Sequence, residues 1–253
     1  MKIQGLFTDY DGTLSPLNVK REESSIAEEV GKALYRIAGR VPVGVITTKD
    51  LSFIVPRTPF ACAWCATGGL EIKLPSVTVL DPRITESTIN SVALAADYAK
   101  KKMGNTALIE EKRDSRGKVL AFCVDWRQSG NNAAIESIAN KIAAFCRERE
   151  LEVIEYNGQP FLDVFPCSVD KSGALERLKN NFGILSGVLY MGDSRTDNSA
   201  FRIADVSIGV IHDETAPDLE CKYWLEFRDM AEFLSRLLDS GLIFSDDLPG
   251  IKE

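Results

Sequence analysis

Two aspartates two residues apart, Asp9 and Asp11, close the first apolar run of this chain and are followed by Gly12, Thr13 and Leu14. At such a place one carboxylate has the chemistry of a nucleophile and the other that of a general acid and base. The pair needs a cation to suppress its mutual repulsion. Asp and Gly are also ordinary turn residues, so this stretch alone reads equally as a strand ending in a turn. A second apolar run, Val188 to Gly192, ends in Asp193 and then Asp197, and Lys171 precedes it by about one helix. Four carboxylates brought to one sheet edge form an all-oxygen donor set. That set suits Mg²⁺, a hard ion commonly held by a few carboxylates together with substrate phosphate. A third run, Val41 to Ile46, ends in Thr47 and Thr48, whose hydroxyls and neighbouring amides have the chemistry to hold a phosphoryl oxygen.

These groups work together only if their strands lie side by side and point the same way. Lys2 to Phe7, Val41 to Ile46, Phe60 to Ala66, Val188 to Gly192 and Val206 to Val210 are short apolar runs without polar alternation. That is the pattern of strands buried on both faces of a parallel sheet. Between them run helical stripes, such as Ile26, Val30, Ala33, Leu34 and Ile37 after the capping candidates Ser24 and Ser25. Further helices are predicted over Lys171 to Asn181, Asn198 to Ile203 and Asp229 to Asp239. Ligands of open α/β sheets bind outside the carboxyl ends of the strands, where the acids and threonines fall.

The pattern changes between 82 and 166. A helix (Thr88 to Met103) leads to strands at Ala107–Glu111 and Val119–Trp126. A second helix (Asn131 to Arg149) leads to strands at Glu152–Tyr156 and Phe161–Phe165. The turn signals Arg116-Gly117 and Asn157-Gly158 favour hairpin connections. The reading is therefore a Rossmann-like α/β core over 1–81 and 167–253, with an α+β cap inserted over 82–166. Residues 244–253 are expected to fray.

Composition bounds the function. The chain has 253 residues, 30 basic against 37 acidic, for a formal charge of −7. An acidic balance argues against nucleic acid or an anionic membrane as main partner, while leaving a phosphorylated small molecule open. No apolar run is long enough for a transmembrane helix and no signal-peptide pattern opens the chain, so a cytoplasmic protein is expected. Six scattered cysteines read as buried thiols. Cys62 and Cys65 have redox-like spacing without a second pair, which leaves a disulfide between them open. His212, the one histidine, lies in an acidic loop and is expected to be merely exposed.

The order Asp9-x-Asp11, Thr47, Lys171 and Gly192-Asp193-x-x-x-Asp197 resembles the haloacid dehalogenase-like phosphohydrolases, which use these four motifs in this order. The run Gly192-Asp193-Ser194-Arg195-Thr196-Asp197-Asn198-Ser199-Ala200-Phe201 is similar to a signature of trehalose-6-phosphate phosphatases, with Ser194 and Asn198 departing from the acids usual there. The resemblance implies an aspartyl-phosphate mechanism, with Asp9 as nucleophile and Asp11 as general acid and base. Lys171, Thr47 and Thr48 would then meet the phosphoryl group. Asp9, Asp11 and Asp193 would hold Mg²⁺, and Asp197 would support Lys171. Glu111-Lys112, Asp125-Trp126-Arg127 and Phe161 to Pro166 are weaker matches to cap signatures, and make Lys112 and Arg127 candidates for reading a sugar. The implied substrate is a phosphorylated sugar, foremost trehalose 6-phosphate. The alternatives are sucrose 6-phosphate, mannosyl-3-phosphoglycerate, or a phosphomannomutase-like transfer.

Overall fold

The computed structural model describes residues 1–17, 19–129, 133–156, 158–212 and 218–252. In chain order the first half runs β1 (Gly5–Thr8), α1 (Glu28–Ala38), β2 (Val43–Ile46), α2 (Leu51–Arg57), β3 (Ala63–Ala66), β4 (Glu71–Lys73), β5 (Thr78–Leu80), α3 (Glu86–Met103), β6 (Leu108–Arg113) and β7 (Val119–Asp125). The second half runs α4 (Ala133–Arg147), β8 (Glu152–Glu155), β9 (Phe161–Phe165), α5 (Lys171–Phe182), β10 (Val188–Gly192), α6 (Asn198–Phe201), β11 (Val206–Ile211), β12 (Tyr223–Glu226), α7 (Met230–Asp239) and β13 (Ile251–Lys252). The chain divides into two compact units, Met1–Thr48 with Phe53–Val79 and Asp170–Glu253 in unit 1, and Lys49–Ser52 with Leu80–Val169 in unit 2.

Unit 1 is organised by a sheet of order β13-β12-β11-β10-β1-β2-β3-β4-β5. From β12 to β3 all pairings are parallel, while β13 and β4 join antiparallel. Strand order reverses at β1, which lies between β10 and β2, so the crevice of this α/β sheet opens beyond its carboxyl end. Alternate residues of each strand go to opposite faces. Leu6, Val43, Val45, Leu189 and Met191 pack with α1 and α7 through Leu34, Ile37, Phe233 and Leu237. Phe7, Ile46, Cys65 and Tyr190 pack with α5 and α6 through Leu175, Leu178 and Phe201. Burial on both faces is why these strands read as continuous apolar runs.

Unit 2 carries an antiparallel sheet of order β6-β7-β9-β8. Phe122, Val124, Leu162 and Val164 are buried against α3 and α4. Alternation therefore sends Cys123 and Asp163, which pair across β7 and β9, to the face away from the helices.

The structure corrects several local expectations. Ser24 does not cap α1, whose N-cap position is Ala27 with no side-chain hydrogen bond. The Ser24 hydroxyl instead lies within hydrogen-bond distance of two other hydroxyls, Tyr10 Oη at 3.3 Å and Ser15 Oγ at 3.2 Å. Helix α2 and strand β5 were not expected. The first carries Pro56 near its end, and the second is three residues long with two of them exposed. Rather than fraying, Ile251 and Lys252 pair with Leu225 and Trp224. The cysteines are free, Cys62 and Cys65 included. Asn131 and Asn157, expected to open a helix and a hairpin turn, lie outside the described residues. Among the described residues, no helix is long and apolar enough to cross a membrane.

Candidate active site

Register brings the acids together. Thr8 pairs with Met191 on one side and Val45 on the other, so Asp9 is level with Gly192 and Ile46. Asp193 and Thr47 each lie one residue further along their own strands. Oxygen atoms of Asp9, Asp193 and Asp197 fall within 4.8 Å of one another. Lys171, the first residue of α5, reaches this cluster with its Nζ donating to Asp9 Oδ2 and Asp197 Oδ1, both at 2.7 Å. The lysine is 3% exposed, so the ammonium is held by these carboxylates rather than by water. Helix α5 starts there because Asp170 caps it, accepting the Ser172 N–H.

Each carboxylate has a different set of partners. Asp197 is fully buried and receives five donors. Its Oδ1 accepts from Lys171 and from Tyr190 Oη at 2.6 Å. Its Oδ2 accepts the Asp193 and Ser194 N–H groups and the Ser194 hydroxyl. A carboxylate offers about four lone-pair sites, so Asp197 is saturated and serves as the fixed partner of Lys171. Gly192 makes room for it, since a Cβ there would lie 2.3 Å from Asp197 Cγ. Asp9 accepts the Tyr10 N–H and Lys171, one donor on each oxygen. Asp193 accepts from Thr13 Oγ1 at 3.2 Å, and its Oδ2 faces Gly12, where a Cβ would approach to 2.1 Å. Gly12 has φ +72°, so the turn needs glycine for its conformation as well as for space.

The electrostatics follow from burial and charge count. Burial pushes the Asp9 carboxyl up from 3.8 to about 6, Lys171 pulls it back, and the Asp197 charge pushes it up again. Burial, then the charges of Asp9 and Asp197, hold Asp193 well above the carboxylate range. For Lys171 burial favours the neutral amine, but Asp197 and Asp9 outweigh it and hold the ammonium above its ordinary range. Three clustered carboxylates against one ammonium leave an excess of buried negative charge. That excess, with oxygen donors alone, fits a hard divalent cation such as Mg²⁺. Asp9 and Asp193 have acceptor capacity left for it, whereas Asp197 does not.

Other expected residues are placed differently. Asp11 is half-buried in the turn after β1 and is not part of the three-carboxylate group. Thr47 is fully buried, its N–H donating to Cys65 O and its carbonyl accepting from Gly68 N–H, and Thr48 is half-buried beside it. Lys112 and Arg127 belong to unit 2. Lys112 is 2% exposed, and its Nζ donates to Asp163 Oδ1 at 2.5 Å, while Tyr156 Oη donates to Oδ2. Arg127 is exposed, with its guanidinium on Asp125 and 5.2 Å from the Phe161 ring centre. Sequence reasoning missed Tyr190 and Thr13. Only the alternation of β10, which turns Tyr190 toward α5, carried a signal for the first. His212 is a correction: exposed as expected, it also lies with Nε2 2.7 Å from Gly12 O and its ring stacked on Phe227.

The fold agrees with comparisons to known proteins. Residues 125–229 match the family model of sucrose-6F-phosphate phosphohydrolase. A probable trehalose-phosphate phosphatase D of Arabidopsis thaliana is 25% identical over 92% of this chain and 67% of its own length. The chain is similar to trehalose-phosphate phosphatases in sequence and in structure. An uncharacterized glycosyl hydrolase of Mycobacterium tuberculosis is 29% identical over 92% of this chain, which spans 18% of that relative's length. Among solved structures, a trehalose-6-phosphate phosphatase related protein superposes with TM-score 0.71 at 18% identity, covering 94% of this chain and 98% of that one. The C-terminal domain of Candida albicans trehalose-6-phosphate phosphatase gives 0.70 at 20% identity, covering 96% and 93%. These likenesses establish the fold, α/β with a large parallel sheet.

Proposed function

We propose that this chain is a Mg²⁺-dependent sugar-phosphate phosphatase that works through an aspartyl-phosphate. The observation that carries the reading is Lys171 Nζ at 2.7 Å from both Asp9 and Asp197, beside Asp193. An anionic nucleophile must approach an anionic ester, and this buried ammonium offsets charge on both. Asp9 and Asp193 would hold the cation, with Asp11 contributing from the adjoining turn. The bound ion would supply Lewis-acid neutralisation of phosphoryl charge.

In the first half-reaction an Asp9 oxygen attacks phosphorus and the bond from phosphorus to the sugar oxygen breaks. That oxygen takes a proton from Asp11. In the second, the Asp11 carboxylate takes a proton from water, whose oxygen attacks phosphorus, releasing phosphate and restoring the Asp9 carboxylate. Thr47 and Thr48 would donate to the phosphoryl oxygens at the end of β2. With its carboxyl held at about 6, Asp9 is ionised at neutral pH, as a nucleophile must be. The core of residues 1–81 and 167–253 would then be catalytic. The cap of 82–166 would select the sugar through Lys112 and Arg127.

Trehalose 6-phosphate is the preferred substrate, on the similarity to trehalose-phosphate phosphatases over 92% of the chain. Sucrose 6-phosphate is the second reading, favoured by the family match over 125–229. The test is a phosphate-release screen over sugar phosphates with Mg²⁺, with the products identified. Free phosphate marks a hydrolase and an isomeric sugar phosphate marks a mutase. Neither product from any sugar phosphate refutes the reading.

A further inference from the structure

We propose that His212 is a positioning residue, which fixes the turn bearing Asp11 and Thr13 by hydrogen bonding to the carbonyl of Gly12. The inference rests on the phosphatase reading above for its consequence, but not for its geometry. His212 follows the last residue of β11, the strand paired with β10, and β10 in turn delivers Asp193. Its Nε2 lies 2.7 Å from Gly12 O, close enough for an N–H donated to that carbonyl. Phe227, just past β12, holds the imidazole by stacking at 4.6 Å and 23° between ring planes. The ring is thus oriented by one strand end and grips the loop leaving another.

What it grips is the tightest part of the site. Gly12 is buried, with φ +72°, and faces Asp193 Oδ2 with no room for a Cβ. Its N–H is already committed to Ser15 O at 2.9 Å, and Thr13 Oγ1 bonds the other Asp193 oxygen. The His212 bond takes the remaining polar group of the Gly12 backbone. The N–H belongs to the Asp11–Gly12 peptide and the carbonyl to the Gly12–Thr13 peptide, so neither plane can rotate without breaking a bond. Thr13, one residue later, therefore keeps its hydroxyl on Asp193, and Asp11, one residue earlier, is held in the same fixed turn. A His on the surface with no such task would have no reason to meet a partner two hundred residues earlier at the Asp-x-Asp turn itself.

Two variants separate positioning from general support. His212→Phe keeps a ring on Phe227 and removes the donor, whereas His212→Gln restores an N–H of similar reach. Small displacements of catalytic groups cost up to about 10²-fold in rate. His212→Phe should accordingly lower kcat on the sugar phosphate about tenfold, leave KM nearly unchanged and leave Tm near wild type, and His212→Gln should recover most of the loss. Groups that orient metal ligands typically affect affinity by about 10–100-fold. Mn²⁺ alone, titrated by electron paramagnetic resonance, should therefore bind His212→Phe about tenfold more weakly, with recovery in His212→Gln. Unchanged kcat and unchanged Mn²⁺ affinity in His212→Phe would overturn the inference. So would equal losses of rate and Tm in both variants, which would mark a structural contact only. If the wild-type protein releases phosphate from no sugar phosphate, the phosphatase reading fails instead. The Mn²⁺ titration then decides alone, weaker binding in His212→Phe supporting the inference and equal binding overturning it.

Discussion

Asp9→Asn should make the metal-free protein more stable at neutral pH, although it removes the proposed nucleophile. The Asp9 carboxyl is raised from 3.8 to about 6 in the folded chain. Below 3.8 it is protonated whether folded or unfolded, and ionisation costs nothing. As pH rises from 3.8 to 6 the unfolded chain gives up the proton while the folded one retains it, so stability falls. Above about 6 the whole loss is present, and at 1.36 kcal/mol per pK unit it amounts to about 3 kcal/mol. An amide cannot ionise and escapes this loss. Asp193, whose carboxyl the Asp9 charge also pushes up, adds in the same direction. The assay is thermal unfolding of wild type and variant in a chelator from pH 4 to 8. The variant's advantage should be small at the acid end and grow to its full size by neutrality. Parallel curves across that range, or a variant less stable at pH 7 than at pH 4 relative to wild type, would refute the electrostatic reading. Restoring Mg²⁺ should stabilise wild type at pH 7 far more than the variant.

Three further outcomes are expected. Gly12→Ala places a methyl against Asp193 and forces a left-handed alanine at about 1–2 kcal/mol, so Mn²⁺ binding should weaken sharply in an equilibrium titration while unit 2 stays folded. Asp11→Asn should slow hydrolysis of a sugar phosphate by about 10²–10⁴-fold, with phospho-enzyme accumulating on acid quench when the ester has a good leaving group. Lys112→Met leaves the Asp163 carboxylate buried without its cation. It should cost about 3–5 kcal/mol in chemical denaturation, much of it recovered when Asp163→Asn is added.

The core and its site were legible because their signals are local. A strand buried on both faces is an unbroken apolar run, and an acid at its end stands out against it, as with Asp9 after Phe7-Thr8 and Asp193 after Met191-Gly192. Parallel pairing at the right register then does the rest. What stayed hidden depends on contacts between distant residues. Tyr190 looked like one more apolar strand residue, and its hydroxyl matters only because Asp197 folds back beside it. Ser24 has the chemistry of a helix cap, but a buried tyrosine hydroxyl claimed it. His212 has no neighbour in sequence that announces Gly12. The short β5 and the two-residue β13 are strands by pairing more than by composition, so no periodicity marks them. Lys112 shows the reverse case, a lysine in a charged stretch that the chain folds away onto Asp163.

The way the two units share the chain bears on how the protein is made. Apart from Lys49–Ser52, unit 2 is one continuous stretch from Leu80 to Val169, so its contacts can close as soon as that stretch leaves the ribosome. Unit 1 cannot do so. The strand that leads into Asp9 has β10 as one of its two neighbours, and that pairing joins Gly5–Thr8 to Val188–Met191. Until β10 is synthesised, one edge of β1 stays open and Lys171 has no Asp197 to hold it. Pairings of such long sequence separation close slowly. The site is therefore among the last parts of the molecule to form, after the smaller unit has folded in the middle of the chain. A nascent chain stalled before residue 188 would carry a finished unit 2 beside an open sheet edge, the surface to which chaperones and aggregating partners alike attach.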